Sequence, residues 1–209
     1  MKFKNRVDAG KKLALSLKKY ASQKDAIVLA IPRGGVVVGA EVAKALKLPL
    51  DIVMTKKISV PENEEFAIGA VHLDGDVVLN EKLVKNYDIS KEYIEKEAKK
   101  KLEHLKTQMK YFRNNKPPLD LKNKTIILVD DGIATGYTII SACKYLKEQK
   151  VKNIVIASPV APPDVASNLK ECAAEIIIDH CPNVFGAVGN FYEKLEEVTD
   201  DQVKKILKF

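Results

Sequence analysis

The segment 125–138 constrains the fold of this chain more than any other. It begins with the apolar, β-branched run Thr125–Val129, which is typical of a strand buried on both faces. A polar, glycine-marked stretch follows, and helical spacing of apolar residues begins at Tyr137. The segment therefore predicts a strand, a tight loop and a helix start, with Asp130 and Asp131 at the carboxyl end of the strand. In open α/β sheets, ligands bind at this edge.

The loop after this strand has the chemistry of a phosphate site. Backbone N–H groups at a helix N-terminus have no partners inside the helix, and the helix dipole favours an anion there. Gly136 lets the backbone approach a ligand, and the hydroxyls of Thr135 and Thr138 add donors. Asp130 and Asp131 cannot face the same phosphate because like charges repel, but they suit sugar hydroxyls or a hydrated metal ion. Together these groups describe a site for a ribose 5-phosphate.

The residues from Val129 to Thr138 resemble the phosphoribosyl pyrophosphate (PRPP) motif of type I phosphoribosyltransferases, in an uncharacterised bacterial or archaeal-type branch. The resemblance implies that Asp130 and Asp131 hold the ribose hydroxyls. It also implies Mg²⁺ carried mainly by PRPP oxygens and water, with no direct protein ligand. The loop that would wrap the 5-phosphate consists of Ile133, Ala134, Thr135, Gly136, Tyr137 and Thr138.

A second strand–loop–helix unit lies near the start of the chain. A buried strand is predicted over Ala26–Ile31 and a helix over Val36–Leu46. Between them, Arg33, Gly34 and Gly35 resemble the loop that binds pyrophosphate in the family. The guanidinium of arginine is a fixed fork that suits a diphosphate. The alternative is an ordinary turn with a surface arginine.

The segment that follows the next predicted strand is polar and contains a proline. Type I members carry a mobile loop at this place that closes over the substrates, and the composition of residues 58–65 is compatible with one. Lys56 is expected to point at the PRPP phosphates, and Lys57 to be solvated. Glu65 and Gly69 match positions in one branch of the family, but neither is assigned a chemical step.

A long amphipathic helix is predicted over residues 90–113, within an insertion covering residues 80–118. Residues 91–116 carry a net charge of +5 out of +7 for the whole chain. A solvated basic face is the favoured interpretation, and a nucleic-acid site is the alternative. The apolar stripe of this helix consists of Ile94, Ala98, Leu102, Leu105, Met109 and Phe112.

The repeated alternation of strands and helices predicts an α/β fold with a mostly parallel sheet flanked by helices. We expect a single domain over residues 1–209, with a small C-terminal hood over residues 180–209. Phe185 in the hood is the candidate for stacking on a base, as in purine-handling members of the family. A core phenylalanine under a loop is the alternative.

The resemblance implies an enzyme that displaces pyrophosphate from C1 of PRPP with a nitrogen nucleophile, a nucleobase or a related amine. Hypoxanthine–guanine enzymes carry a carboxylate in the phosphate loop where this chain has Ala134, which argues against their mechanism. The alternative is a regulatory homologue that senses PRPP or a nucleotide and binds nucleic acid through its basic helix.

The remaining features narrow the class of protein. No apolar run is long enough to cross a bilayer, and three cysteines without CxxC spacing favour reduced thiols in a cytoplasm. His180 and Cys181 are adjacent but lack partners for a metal site. A homodimer is expected, whereas nucleic-acid and membrane partners are not.

Overall fold

A computed structural model describes residues 2–61 and 63–207, with the backbone alone at Glu64 and Glu65. The strands, in chain order, are β1 (Ala26–Ala30), β2 (Leu50–Ile52), β3 (Thr55–Val60), β4 (Asn63–His72), β5 (Val77–Leu79), β6 (Thr125–Val129), β7 (Asn153–Val160) and β8 (Glu175–His180). The helices are α1 (Arg6–Ser16), α2 (Gly34–Leu46), α3 (Glu81–Asn86), α4 (Lys91–Phe112), α5 (Tyr137–Glu148), α6 (Pro163–Asn168) and α7 (Asp200–Leu207).

Five strands form a parallel sheet in the order β2-β1-β6-β7-β8. Every residue of β1 and β6 is buried, as their continuous apolar sequences predict. The two strands end side by side, with Ala30 opposite Val129, and the amide of Ile31 donates to the carbonyl of Val129 at 2.9 Å. The loops that follow β1 and β6 therefore begin next to each other at the carboxyl ends of the parallel strands.

Helices cover both faces of this sheet, because alternate strand residues point to opposite sides. Ile126 and Leu128 pack with α5 and α6, whereas Ile127 and Val129 pack with α1 and α2. The predicted α/β fold with a parallel sheet flanked by helices is confirmed.

A second, antiparallel sheet in the order β3-β4-β5 lies beside the first. The sequence predicts a loop over residues 58–65, but the structure has paired strands on both sides of Pro61, with Ile58 opposite Gly69 and Val60 opposite Asn63. The β-branched residues of β3 fit a pleated, half-buried surface, and pairing satisfies the backbone groups that a loop would leave to water. Glu62 and the side chain of Glu65 lie outside the described residues.

Helix α4 confirms the predicted amphipathic helix, with Ser90 as its N-cap. Its apolar stripe covers two different clusters: Ile94 and Ala98 pack on the antiparallel sheet, and Leu105, Met109 and Phe112 pack with β2 and α7. The described helices include none that is both long and apolar enough for a membrane span.

A buried ion pair fixes the C-terminal end of α4 to the parallel sheet. The guanidinium of Arg113 donates to the carboxylate of Asp51 in β2, and both side chains are almost fully buried. Arg113 also donates to the carbonyls of Lys116 and Pro117, and the amide of Leu119 donates to Asp51 at 3.2 Å. These hydrogen bonds compensate for removing two charges from water.

Candidate functional site

The loop between β6 and α5 presents free backbone amides at a helix N-terminus. Gly136 precedes α5 with a φ of 78°, in the left-handed region that favours glycine, and no side chain caps the helix. Within the described chain, the amides of residues 134–138 have no hydrogen-bond partner. Together with the hydroxyls of Thr135 and Thr138, they have the donor chemistry of a phosphate site.

Two residues of this segment, Ile133 and Tyr137, make hydrogen bonds to other parts of the chain. Ile133 is buried, and its amide donates to the carbonyl of Val160 at 2.9 Å, so that amide is not available to a ligand. The hydroxyl of Tyr137 accepts a hydrogen bond from Asn80 Nδ2 at 3.1 Å. Asn80 in turn caps α3. Ile133 therefore anchors the loop to β7, and Tyr137 links it to the segment that follows β5.

The two aspartates after β6 have different environments. Asp130 is half-buried, and its Oδ1 accepts the amide of Asp131 at 2.8 Å. Burial, reinforced by the charge of Asp131, raises the pKa of Asp130 well above its ordinary value. Asp131 Oδ2 instead accepts a hydrogen bond from Arg6 Nε at 2.6 Å, and both side chains are about one-seventh exposed. A carboxyl group with a strongly shifted pKa, next to a loop whose backbone amides have no partner in the described chain, is typical of a functional site.

The Arg33–Gly35 turn packs directly against these aspartates. A Cβ atom on Gly34 would lie 1.9 Å from Asp131 Oδ2, and one on Gly35 would lie 3.0 Å from Asp130 Cα. The two positions therefore need glycine for close approach of the loops. The peptide bond between Pro32 and Arg33 is cis.

The two cations predicted to bind PRPP phosphates, Arg33 and Lys56, are close enough to affect each other electrostatically. The guanidinium of Arg33 pairs with Glu197 at 3.0 Å and with Asp200 at 3.7 Å, so acids from the C-terminal segment contact it in this structure. Lys56 is half-buried in β3, and burial lowers its pKa. The nearby positive charge of Arg33 lowers that pKa further, whereas Asp200 opposes the shift. Asp200 is thus a nearby acid for both Arg33 and Lys56.

The hood segment covers the edge of the motif loop. A Cβ atom on Gly132 would lie 2.4 Å from the side chain of Val188, and the hydroxyl of Tyr192 donates to the carbonyl of Asp131 at 2.5 Å. Phe185 lies in the same segment, with its ring centroid 5.1 Å from that of Phe191. Phe185 therefore packs partly within the protein, and its stacking on a base stays a prediction.

The sequence analysis missed several side chains at this site. Arg6, Glu197 and Tyr192 contact predicted site residues but carry no local signal that distinguishes them. Arg6 is one of 35 Lys and Arg residues, and the residue that it contacts lies 125 positions away along the chain. Only the fold brings these groups together.

The oxygen donors of Asp130 and Asp131 suit Mg²⁺, which prefers hard oxygen ligands. Because Arg6 contacts Asp131, the pair fits the expected outer-shell role beside substrate phosphates better than a protein cage. A separate exposed acidic cluster, consisting of Asp74, Asp76 and Glu148, has carboxylate oxygens within 4.8 Å of one another. Glu148 ends α5, about 16 Å from its first residue at 1.5 Å per residue, so this cluster is not part of the site.

Comparison with known proteins adds independent information. The family model for a phosphoribosyl transferase domain matches residues 2–189. The chain is 36% identical over 205 residues to MT0597 of Mycobacterium tuberculosis, a protein provisionally named as a phosphoribosyl transferase. The match covers 98% of this chain and 46% of that protein, so the chain spans about half the length of this curated relative.

The fold also matches a solved structure. The crystal structure of TT1426 from Thermus thermophilus is similar over 99% of this chain and 98% of that chain, with a TM-score of 0.84 and 37% identity. Uracil phosphoribosyltransferases of Campylobacter jejuni are 47% identical, but over only 53 residues, which is 25% of this chain and 24% of theirs.

Proposed function

Since the chain belongs to the phosphoribosyl transferase domain family, we propose that it is a phosphoribosyltransferase that uses PRPP with Mg²⁺. In this reaction a nitrogen nucleophile, a nucleobase or related amine, displaces pyrophosphate from C1 of PRPP. The proposal rests on one arrangement. The free amides of residues 134–138, the carboxylates of Asp130 and Asp131, and the Arg33–Gly35 turn adjoin at one edge of the sheet. These groups suit, in order, a 5-phosphate, a ribose and a diphosphate.

The protein would act by binding PRPP and orienting it for attack. The amides of the loop hold the 5-phosphate, and Asp130 and Asp131 accept hydrogen bonds from the ribose hydroxyls, which fixes C1 for attack. Arg33 and Lys56 stabilise the negative charge that develops on the departing diphosphate. Bound Mg²⁺ would supply further charge neutralisation on the diphosphate, held by substrate oxygens with Asp130 and Asp131 in its outer shell.

The acceptor is the least specified part of the reaction. Ala134 is exposed in the phosphate loop and has no carboxylate to contact a purine N7, so we do not propose the hypoxanthine–guanine mechanism. Phe185 is half-buried in the hood and is the proposed contact for a planar base. A cytoplasmic location and a homodimer stay predictions. Neither the comparisons nor the described residues support the regulatory alternative.

The experiment is an assay of pyrophosphate release from PRPP and Mg²⁺ across a panel of nucleobases and amines. We expect release with at least one acceptor, a large loss of the rate in Asp130→Asn/Asp131→Asn, and little change in Asp120→Asn, which alters an exposed acid outside the site. Absence of release with every acceptor, together with selective DNA binding, would instead favour the regulatory alternative.

A further inference from the structure

Arg6 lies between the two loops of the proposed site. Its Nε donates to Asp131 Oδ2 at 2.6 Å, and its Nη1 donates to the carbonyl of Glu196 at 2.5 Å. A Cβ atom on Gly34 would lie 2.8 Å from Arg6 Nε. The guanidinium therefore contacts the proposed ribose-binding acid and lies against the loop proposed to bind the diphosphate.

The backbone around Arg6 is held in place. Phe3 is fully buried, its amide donates to the carbonyl of Phe191 at 2.8 Å, and its carbonyl accepts the amide of Glu193 at 2.8 Å. Asn5 caps α1 by accepting the amide of Asp8 at 3.0 Å. The flexible side chain of Arg6 thus extends from a fixed point, and its guanidinium can turn without moving the helix.

A second guanidinium, that of Arg33, belongs to the diphosphate turn and also pairs with carboxylates of the chain. Arg33 is bound by Glu197 and Asp200, just as Arg6 is bound by Asp131. The Arg6 guanidinium lies against Gly34, Arg33 is the residue before that glycine, and both guanidinium groups pair with carboxylates of the chain. A guanidinium that donates to a carboxylate can donate to a phosphate with the same planar fork, and a diphosphate carries more negative charge than one carboxylate.

The geometry of Asp131 makes the two subsites compete. Its Oδ2 accepts from Arg6, and its main-chain carbonyl accepts from Tyr192. While Arg6 holds Oδ2, that oxygen is engaged and the carboxylate is less available to a ribose hydroxyl. A diphosphate that attracted Arg6 would remove this competition and would leave the carboxylate free for the sugar.

Resting on the proposed function, we propose that Arg6 is a diphosphate-binding residue that exchanges partners when PRPP binds. In this exchange the guanidinium leaves Asp131 for the diphosphate, and the carboxylate of Asp131 becomes available to the ribose. Arg6 therefore couples the diphosphate subsite to the ribose subsite, and PRPP binds better than its two halves would separately.

The test measures the affinities of PRPP, inorganic pyrophosphate and ribose 5-phosphate by calorimetry at one Mg²⁺ concentration. Arg6→Gln is expected to weaken PRPP and pyrophosphate by about tenfold or more, the usual size of a lost charge-assisted contact. Its affinity for ribose 5-phosphate is expected to be unchanged or higher, because Asp131 is then free. Lys11→Gln removes an exposed charge from the same helix and is expected to match the wild type for all three ligands.

For Asp131→Asn under the same conditions, the expected changes in affinity for pyrophosphate and ribose 5-phosphate are reversed. It is expected to bind pyrophosphate more tightly, because Arg6 no longer leaves an ion pair, and ribose 5-phosphate about tenfold more weakly. If Arg6→Gln does not fold, Arg6→Lys replaces it, and its loss of the planar fork is expected to weaken pyrophosphate by several-fold.

The exchange of partners would be overturned if the folded Arg6 variant bound PRPP and pyrophosphate as tightly as the wild type does. It would also be overturned if Asp131→Asn bound pyrophosphate more weakly than the wild type does. In either case the proposed function would still stand. Failure of the wild-type protein to bind any of the three ligands would overturn the proposed function and the exchange with it.

Discussion

Gly34 lies so close to Asp131 that a Cβ atom at this glycine would sit 1.9 Å from the Oδ2 atom of the aspartate. The same Cβ would lie 2.8 Å from Arg6 Nε. Both atoms are at the ends of side chains that can move, so an added methyl group would displace the carboxylate rather than unfold the protein. The two loops of the proposed site therefore depend on one another through this glycine.

Gly34→Ala is expected to weaken PRPP binding by about tenfold or more, because the added methyl group displaces the carboxylate of Asp131 from its place for the ribose. The free energy of unfolding should change by only about 1 kcal/mol, since the clash is relieved by side chains. Gly189→Ala is the matched control, because its Cβ would meet nothing nearer than 3.5 Å. Calorimetry and urea denaturation measure the two effects. Unchanged PRPP affinity in Gly34→Ala would contradict the proposed contact between the loops.

Gly69→Ala, in contrast, is expected to act mainly on the free energy of unfolding. Its Cβ would lie 2.3 Å from the backbone carbonyl of Val78 in the paired strand, which cannot move without breaking the antiparallel sheet. We expect a loss of about 1–3 kcal/mol or more in the free energy of unfolding, measured by urea denaturation. A loss no larger than that of Gly189→Ala would show that the sheet adjusts. The sequence assigns no role to Gly69, and the structure explains this glycine by the close packing of β4 against β5.

Arg113→Met is expected to destabilise the protein by about 3–5 kcal/mol, because it leaves the carboxylate of Asp51 buried without its cation. Adding Asp51→Leu should recover part of this loss, since no charge then remains buried. Lys152→Met breaks the exposed pair with Asp25 and should have a much smaller effect. Urea denaturation of the four proteins, including the wild type, tests the comparison, and equal effects at the two sites would contradict it.

His72 is expected to make the stability depend on pH. Its side chain is fully buried, with Nε2 3.3 Å from Ser141 Oγ, and burial lowers its pKa below the ordinary value of 6.5 while the nearby charge of Asp74 opposes that shift. The folded state therefore binds this proton less readily than the unfolded state. The contribution of His72 is fully present above pH 6.5 and is lost as the pH falls below it.

The measurement is the urea midpoint of the wild type and of His72→Phe between pH 8 and pH 5. The wild type should lose more stability than the variant as the pH falls, because only the wild type must protonate a buried imidazole. Parallel pH profiles for the two proteins would show that His72 does not titrate in this way.

Cys172 is expected to be the most reactive thiol near neutral pH. A hydrogen bond with Cys143 lowers the pKa of Cys172 to about 7, whereas the same contact raises the pKa of Cys143 and burial raises that of Cys181. Alkylation by iodoacetamide, followed by peptide mass spectrometry, should therefore modify Cys172 first, with a midpoint near pH 7. Cys143→Ala should shift that midpoint upward. Earlier modification of the exposed Cys181 would contradict this assignment.

The elements predicted from the sequence are those with a strong local pattern. The continuous apolar runs of β1 and β6 and the amphipathic spacing of α4 each identify one kind of structure. The start of α7 carries another local pattern, a capping box with reciprocal hydrogen bonds between Thr199 and Gln202. Local patterns of this kind do not depend on the rest of the chain.

The features that the sequence analysis missed depend on contacts between distant residues. Arg6 reaches Asp131 across 125 positions, and Arg33 reaches Glu197 across 164. The sequence of residues 58–65 predicts a loop because Pro61 and several charges outweigh a short β-branched pattern. Pairing with β4 and packing against α4 hold β3 in place, and neither contact has a signature within the segment itself.

The most direct test of the central claim is the thermal stabilisation of the protein by PRPP at a fixed Mg²⁺ concentration. At 100 times the dissociation constant, binding should stabilise the wild type by about 2.7 kcal/mol. Asp130→Asn/Asp131→Asn should lose most of this shift, whereas Asp74→Asn/Asp76→Asn, which alters the acidic cluster at the other end of α5, should retain it. A shift retained in full by the Asp130/Asp131 variant would contradict the assignment of these acids to the ribose.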